Sequence, residues 1–301
     1  MNQDQVEIVL DDEEKTFMVY KELLCFHSDY FRGAFTGSFR ESVEKSIRIS
    51  DVSERVFRLF QTWLYAQVTR EEADPATKRH KGDRGVRNPS RNALFHRTLL
   101  EGMLNVSGVY SLSNMVDLGF DSRHYYYELF FELSIFADQY DVPQLRRDIM
   151  TILVDLEKQL YIRKLCRSFG NLGYGLWSKL PDTAPIRLLM ATEIASKWQR
   201  DVPEKDWILE LPQAIVVDVL HVILTKQRDA SRAKALDTAI GWPCDYHEHK
   251  NEQERTECES IQAADTPFYV SFLRACMTEV YKIDEHRKEI ARSKRHVKES
   301  Q

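Results

Sequence analysis

An α+β fold is predicted by three features of the sequence: short β-type runs open the chain, amphipathic helical patterns follow them, and the second half reads as helices alone. The chain has 301 residues, 43% of them hydrophobic and 11% aromatic, which is a globular composition able to bury a substantial core. Its net charge of -5 speaks against a protein whose main work is wrapping nucleic acid.

The elements follow in order. VEIVL (6–10) and TFMVY (16–20) flank the polar turn DDEEK, which predicts a hairpin. KELLCF begins a helix, and a second starts after Ser28, a side chain suited to an N-cap. In SIRIS, Ile47 and Ile49 alternate with polar residues, as in a half-buried third strand. SERVFRLFQTWLYA then places Val56, Leu59, Phe60, Trp63 and Leu64 on one helical face. A hairpin and one more strand make too small a sheet to stand alone, so helices must cover it. The expected core is Phe17, Val19, Leu24, Phe31, Phe35, Phe57, Phe60 and Leu64.

After Tyr65 the chain turns charged, and REEADPATKRHKGDRGVRNPSRN reads as a loop. Residues 94–124 show no clear period. Two helices are predicted across YYYELFFELSIFADQYDVPQLRRDIMTILVDLEKQLY, broken at Val142–Pro143, where proline opens the second. PIRLLMATEIASKW and LPQAIVVDVLHVIL read as further helices. A last helix begins at Thr266–Pro267, with Phe272, Leu273, Cys276, Val280 and Ile283 as its apolar stripe.

The segments FMVYK (17–21), LL (23–24), HSDYF (27–31), FTGSFRES (35–42), IRISDV (47–52), VF (56–57) and WLY (63–65) together resemble the BTB/POZ fold, a small α/β interaction module. ADQYDVPQLRRDIM (137–150) resembles the helix pair that closes that domain. A weaker likeness runs through 186–224 and the segment after it, an arrangement similar to BTB proteins of filamentous fungi. The expected organisation is therefore a BTB/POZ domain over 1–155 with an insertion at 66–124, a helical region over 156–285, and a charged tail over 286–301. Three departures stand out: Tyr20 replaces a usual histidine, Gln5 or Asp4 stands where an acidic residue opens the first strand, and roughly sixty residues precede the closing helices, far beyond ordinary loop lengths.

The resemblance implies protein partners: a second copy of the chain, or a cullin-3 scaffold for ubiquitin ligation. In the family the cullin contact uses a hydrophobic–x–acidic motif, and Phe39–Arg40–Glu41 stands in that position. An exposed aromatic anchor beside a carboxylate suits such a contact, whereas an inward Phe39 would leave Glu41 merely solvating a turn. No kelch, ankyrin or finger periodicity supplies a substrate-holding module. A self-associating scaffold or regulator is the leading expectation, a cullin-3 adaptor the second, and a nuclear transcriptional regulator the third.

No GxSxG elbow, P-loop or HExxH is present, and GNLGYG lacks the preceding strand that a phosphate loop needs, so no enzymatic activity is expected. His27, His96 and His221 are isolated, and Cys25 and Cys276 fall on apolar helical faces as small core residues. Five cysteines at irregular spacing, with no secretory signal and no bilayer-spanning run, point to reduced thiols in the cytosol or nucleus. Basic residues from Lys78 to Arg91 and from Arg287 to Lys298 read as solvated charge, as a nuclear-import signal or as a weak polyanion contact.

One segment collects ligand chemistry. CDYHEHKNEQERTEC holds Cys244, His247, His249 and Cys258 in a C-x2-H-x-H-x8-C spacing. Two thiolates and two imidazoles suit tetrahedral zinc, although the spacing matches no familiar finger. Two readings stand here: a structural zinc that staples a polar loop between apolar helices, or a charged loop with no metal.

Overall fold

The computed structural model describes residues 4–72, 123–160, 175–200, 208–209, 211–228, 241–264, 268–280, 282 and 289. The chain divides into two compact units, one formed by 1–52 with 130–264 and the other by 53–129 with 265–301.

In the first unit, β1 (Gln5–Leu10), β2 (Lys15–Tyr20) and β3 (Ser46–Ile49) form a mixed sheet in the order β2-β1-β3, with β2 antiparallel and β3 parallel to β1. Period-two alternation sets the register. Ile8 sits between Phe17 and Ile47, Val6 faces Val19, and Leu10 faces Ile49, and all seven are buried. Sliding any strand by one residue would turn its apolar set to solvent. The turn after β1 places Glu14 at a φ of 48°, a left-handed conformation that costs a non-glycine residue roughly 1 kcal/mol.

Between β2 and β3 run α1 (Lys21–His27), α2 (Asp29–Thr36) and the short α3 (Arg40–Glu44). Ser28 caps α2 as expected, its Oγ accepting the Phe31 N–H at 3.1 Å. The same hydroxyl donates to the Tyr140 carbonyl at 2.6 Å. Phe31 stacks on Tyr140 with ring centroids 5.4 Å apart, so the cap and the aromatic pair hold α2 against the end of the helix over Arg123–Gln139. Gly37 ends α2 by close approach: a Cβ there would lie 2.6 Å from the Gly33 carbonyl oxygen and 3.0 Å from the Phe39 ring.

The closing pair is α5 (Arg123–Gln139) and α6 (Pro143–Leu160), and the break falls where Val142–Pro143 predicts it. Asp141 takes a left-handed φ of 45° while the Val142 N–H returns to the Ala137 carbonyl at 2.8 Å, a Schellman-type stop before proline opens α6. Further along, α7 (Pro185–Arg200) and α8 (Gln213–Arg228) lie together. Buried Arg187 joins them, donating to Asp218 at 2.7 Å and to the exposed Asp182 at 2.6 Å, with its guanidinium 5.4 Å from the Trp177 ring.

The second unit contains α4 (Glu54–Glu72) and a helix over residues 268–280, here α10. The predicted face of α4 is buried, with Phe60 stacked on Trp63 at 6.0 Å. Arg70 reaches α10, its guanidinium 4.5 Å from the Phe268 ring centre and 3.3 Å from the Tyr269 hydroxyl. Phe272, Leu273, Cys276 and Val280 are buried as predicted, and Ile283 lies outside the described residues.

Every expected core residue is buried. One boundary and one short helix differ. Helix α4 continues two turns past Tyr65 to Glu72, because Ala66, Gln67, Arg70, Glu71 and Glu72 are good helix formers and outweigh the β-branched Val68 and Thr69. The expected insertion thus begins inside a helix, and 73–122 lie outside the described residues. Helix α3 was also not expected; five residues carry too short a pattern to read as a period.

Candidate metal centre and exposed apolar surface

The Cys/His segment is built from a tight turn, a bent irregular stretch and a helix. Gly241 lets the chain pass Asp245, since a Cβ there would meet the carboxylate at 2.5 Å. Pro243–Asp245 forms a single 3-10 turn in which Asp245 accepts the Trp242 N–H at 2.7 Å, and the turn buries Cys244. His247 follows in a bend, and the His249 N–H turns back to the His247 carbonyl at 3.1 Å. From Glu252 to Ala264 the chain is helical (α9), so Cys258 stands on a helix rather than on a loop.

That helix corrects the reading of 244–258 as one continuous loop. Its start was encoded by Asn251-x-x-Glu254: the Asn251 side chain accepts the Glu254 N–H at 2.9 Å, and Glu254 accepts the Lys250 N–H at 2.7 Å. Pairs one turn apart, Gln253–Glu257 and Arg255–Glu259, support a helix with little apolar surface. The absence of an apolar stripe hid it from a pattern search.

The fold brings all four predicted ligands together. One donor atom from each of Cys244, His247, His249 and Cys258 lies within 4.8 Å of all the others. His247 Nδ1 is 3.4 Å from Cys258 Sγ and 3.8 Å from Cys244 Sγ. Both ring nitrogens of His249 are buried, and neither has a hydrogen-bond partner among the described residues. Leaving such a ring unsatisfied is costly, and a metal bond removes the cost for the nitrogen that binds. The donor set of two sulfurs and two imidazoles fits a soft or borderline tetrahedral ion, so this group could hold a metal.

The electrostatics of the cluster agree. The hydrogen bond with Cys244 pulls the Cys258 thiol well below its ordinary value despite burial, and the His247 contact adds to the effect. The same shared hydrogen bond, with burial, pushes Cys244 up. A cation bound between the two sulfurs would favour the thiolate form of both and displace their protons. Burial lowers His249, favouring the neutral ring that ligates.

Helix α6 grips the segment from the side. Arg147 donates to the Glu248 carbonyl at 2.8 Å, between the two histidines, and to Glu254 on α9 at 2.6 Å, while Arg146 reaches the Glu248 carboxylate at 2.8 Å. Buried Thr151 lies 3.1 Å from His247 Nε2. The sequence reading missed these three residues. Arg147 and Thr151 stand one turn apart on a helix that carries several other polar residues, so nothing in its pattern marked them.

The other predicted pair stands at the start of α3. Phe39 is 61% exposed, with its ring over Gly37, and its carbonyl accepts the Ser42 hydroxyl at 2.7 Å to start α3. Glu41 is half-buried in the first turn of α3, and Val43 beside it is 82% exposed. Met18, Tyr20, Phe26 and Tyr30 are exposed as well. The basic runs at 78–91 and 287–298 lie outside the described residues, as do His96, Cys166 and most of the GNLGYG turn. No helix among the described residues is long and apolar enough to cross a membrane.

Residues 1–78 match the family model of the BTB/POZ domain, a protein-interaction module. No curated protein matches the chain.

Proposed function

We propose that this chain is a non-enzymatic interaction protein that associates with itself and acts as a scaffold or regulator. One observation carries the reading: the region matching the BTB/POZ domain leaves Met18, Tyr20, Phe26, Tyr30, Phe39 and Val43 exposed. Six exposed large apolar side chains within one small interaction domain favour partners that cover them. Light scattering on a size-exclusion column is the test. A dimer or larger species supports self-association, and a monomer at micromolar concentration removes it.

The second reading, a substrate adaptor for a cullin-3 ligase, is favoured by Phe39. Its ring projects into solvent instead of joining the core, and Glu41 follows it by two residues on α3. Co-elution with a cullin-3 N-terminal fragment tests this, and Glu41→Lys should abolish the complex while self-association persists. Reversing a charge beside an aromatic anchor of such an interface costs about 2 kcal/mol or more, roughly a thirtyfold loss of affinity.

The Cys/His group serves the same role as a structural staple. Zinc is the ion that this donor set suits, with Cys244, His247, His249 and Cys258 as its four protein ligands. Bound there, it would supply a cross-link between the turn at Pro243–Asp245 and α9, in a segment with little apolar surface of its own. Reduced thiols at Cys244 and Cys258 go with a cytosolic or nuclear setting.

A further inference from the structure

The metal reading leaves one question open, namely what fixes the coordinating nitrogen of His247. Four features bear on it. Thr151 Oγ1 is 3.1 Å from the Arg147 carbonyl, one turn back along α6, and 3.1 Å from His247 Nε2. A hydroxyl has a single proton to donate. Given to the Arg147 carbonyl, it leaves an oxygen lone pair facing the ring, so Nε2 must bring the proton to the contact. The opposite nitrogen, Nδ1, is the atom that faces both Cys244 and Cys258.

We propose that Thr151 is a positioning residue for the metal centre: it holds His247 as the tautomer with hydrogen on Nε2, so that Nδ1 is bare and aimed at the ion. The inference rests on the zinc reading above and goes beyond it. It makes the centre a joint between α6 and the C-terminal segment, because the orienting group lies 96 residues away from its ligand in sequence. Arg147 adds the other half of the joint, holding the backbone between the histidines and the carboxylate of Glu254 on α9. Metal-bound histidines elsewhere depend on such partners, and losing one weakens binding by roughly 10–100-fold.

The test uses the full chain, Thr151→Val and Thr151→Ser. Zinc affinity is measured by competition with a chromophoric chelator, and coordination is followed through the visible absorption of the cobalt-loaded protein. Thr151→Val keeps the shape and removes the hydroxyl; it should weaken zinc roughly 10–100-fold while the tetrahedral cobalt spectrum persists. Thr151→Ser should bind as the parent does. Nitrogen-15 NMR of zinc-loaded parent protein reads the tautomer directly, and coordination through Nδ1 with a protonated Nε2 is expected. Equal affinity in parent and Thr151→Val, or coordination through Nε2, overturns the positioning role and leaves the zinc reading intact. A parent chain that binds no zinc overturns both. Should Thr151→Val fail to fold, the NMR assignment in the parent decides.

Discussion

The sheet region over 4–49 and the Cys/His segment over 241–264 are held by opposite means. The first buries Val6, Ile8, Leu10, Phe17, Val19, Phe31 and Phe35 nearly completely, each worth about 1.5–3 kcal/mol against exposure. The second buries Pro243, Cys244 and Tyr246, and otherwise depends on caps, ion pairs and a thiol–imidazole cluster. Exposed ion pairs such as Arg255–Asp245 contribute little each. Hydrophobic burial therefore stabilises the one, while the other gains most from whatever its four ligands bind.

The strongest way to sharpen that contrast is Phe31→Ala. Phe31 is fully buried and stacked on Tyr140 and Phe35, so the cavity should cost about 3–5 kcal/mol, read as a lower denaturant midpoint at unchanged slope. Next in size is chelation. With free zinc a hundredfold above its Kd, removing it should cost about 3 kcal/mol. Hydrogen exchange should then quicken in 243–260 and at the α6 face that holds it, while the β1–β3 ladder keeps its protection. Equal loosening of the ladder would break the comparison. Ser28→Ala is the smallest of the three. It removes both the cap on Phe31 and the bond to Tyr140, and thermal unfolding should report a loss of about 1–2 kcal/mol.

Much of this contrast was legible in residue order. The alternation in VEIVL, TFMVY and SIRIS named the strands and their inward faces, Ser28 named a helix start, and Val142–Pro143 named a helix break. The four ligand-type residues could be picked out by chemistry alone. Helix α9 was harder, because its encoding lies in a cap and in polar pairs one turn apart rather than in an apolar stripe. The exposure of Phe39 was equally illegible, since whether an aromatic ring faces the core or the solvent depends on the Gly37 approach beneath it.

By itself, then, the sequence determined the α+β class, the strand faces, the core and the identity of the candidate ligands. Those are local properties, written in period, propensity and side-chain chemistry over a few residues. Tertiary structure alone decided that Cys258 swings back from a helix to meet Cys244 and the two histidines, and that Thr151 and Arg147 of α6 stand against them. Contacts across roughly a hundred residues depend on how whole elements dock, and no local pattern carries that information.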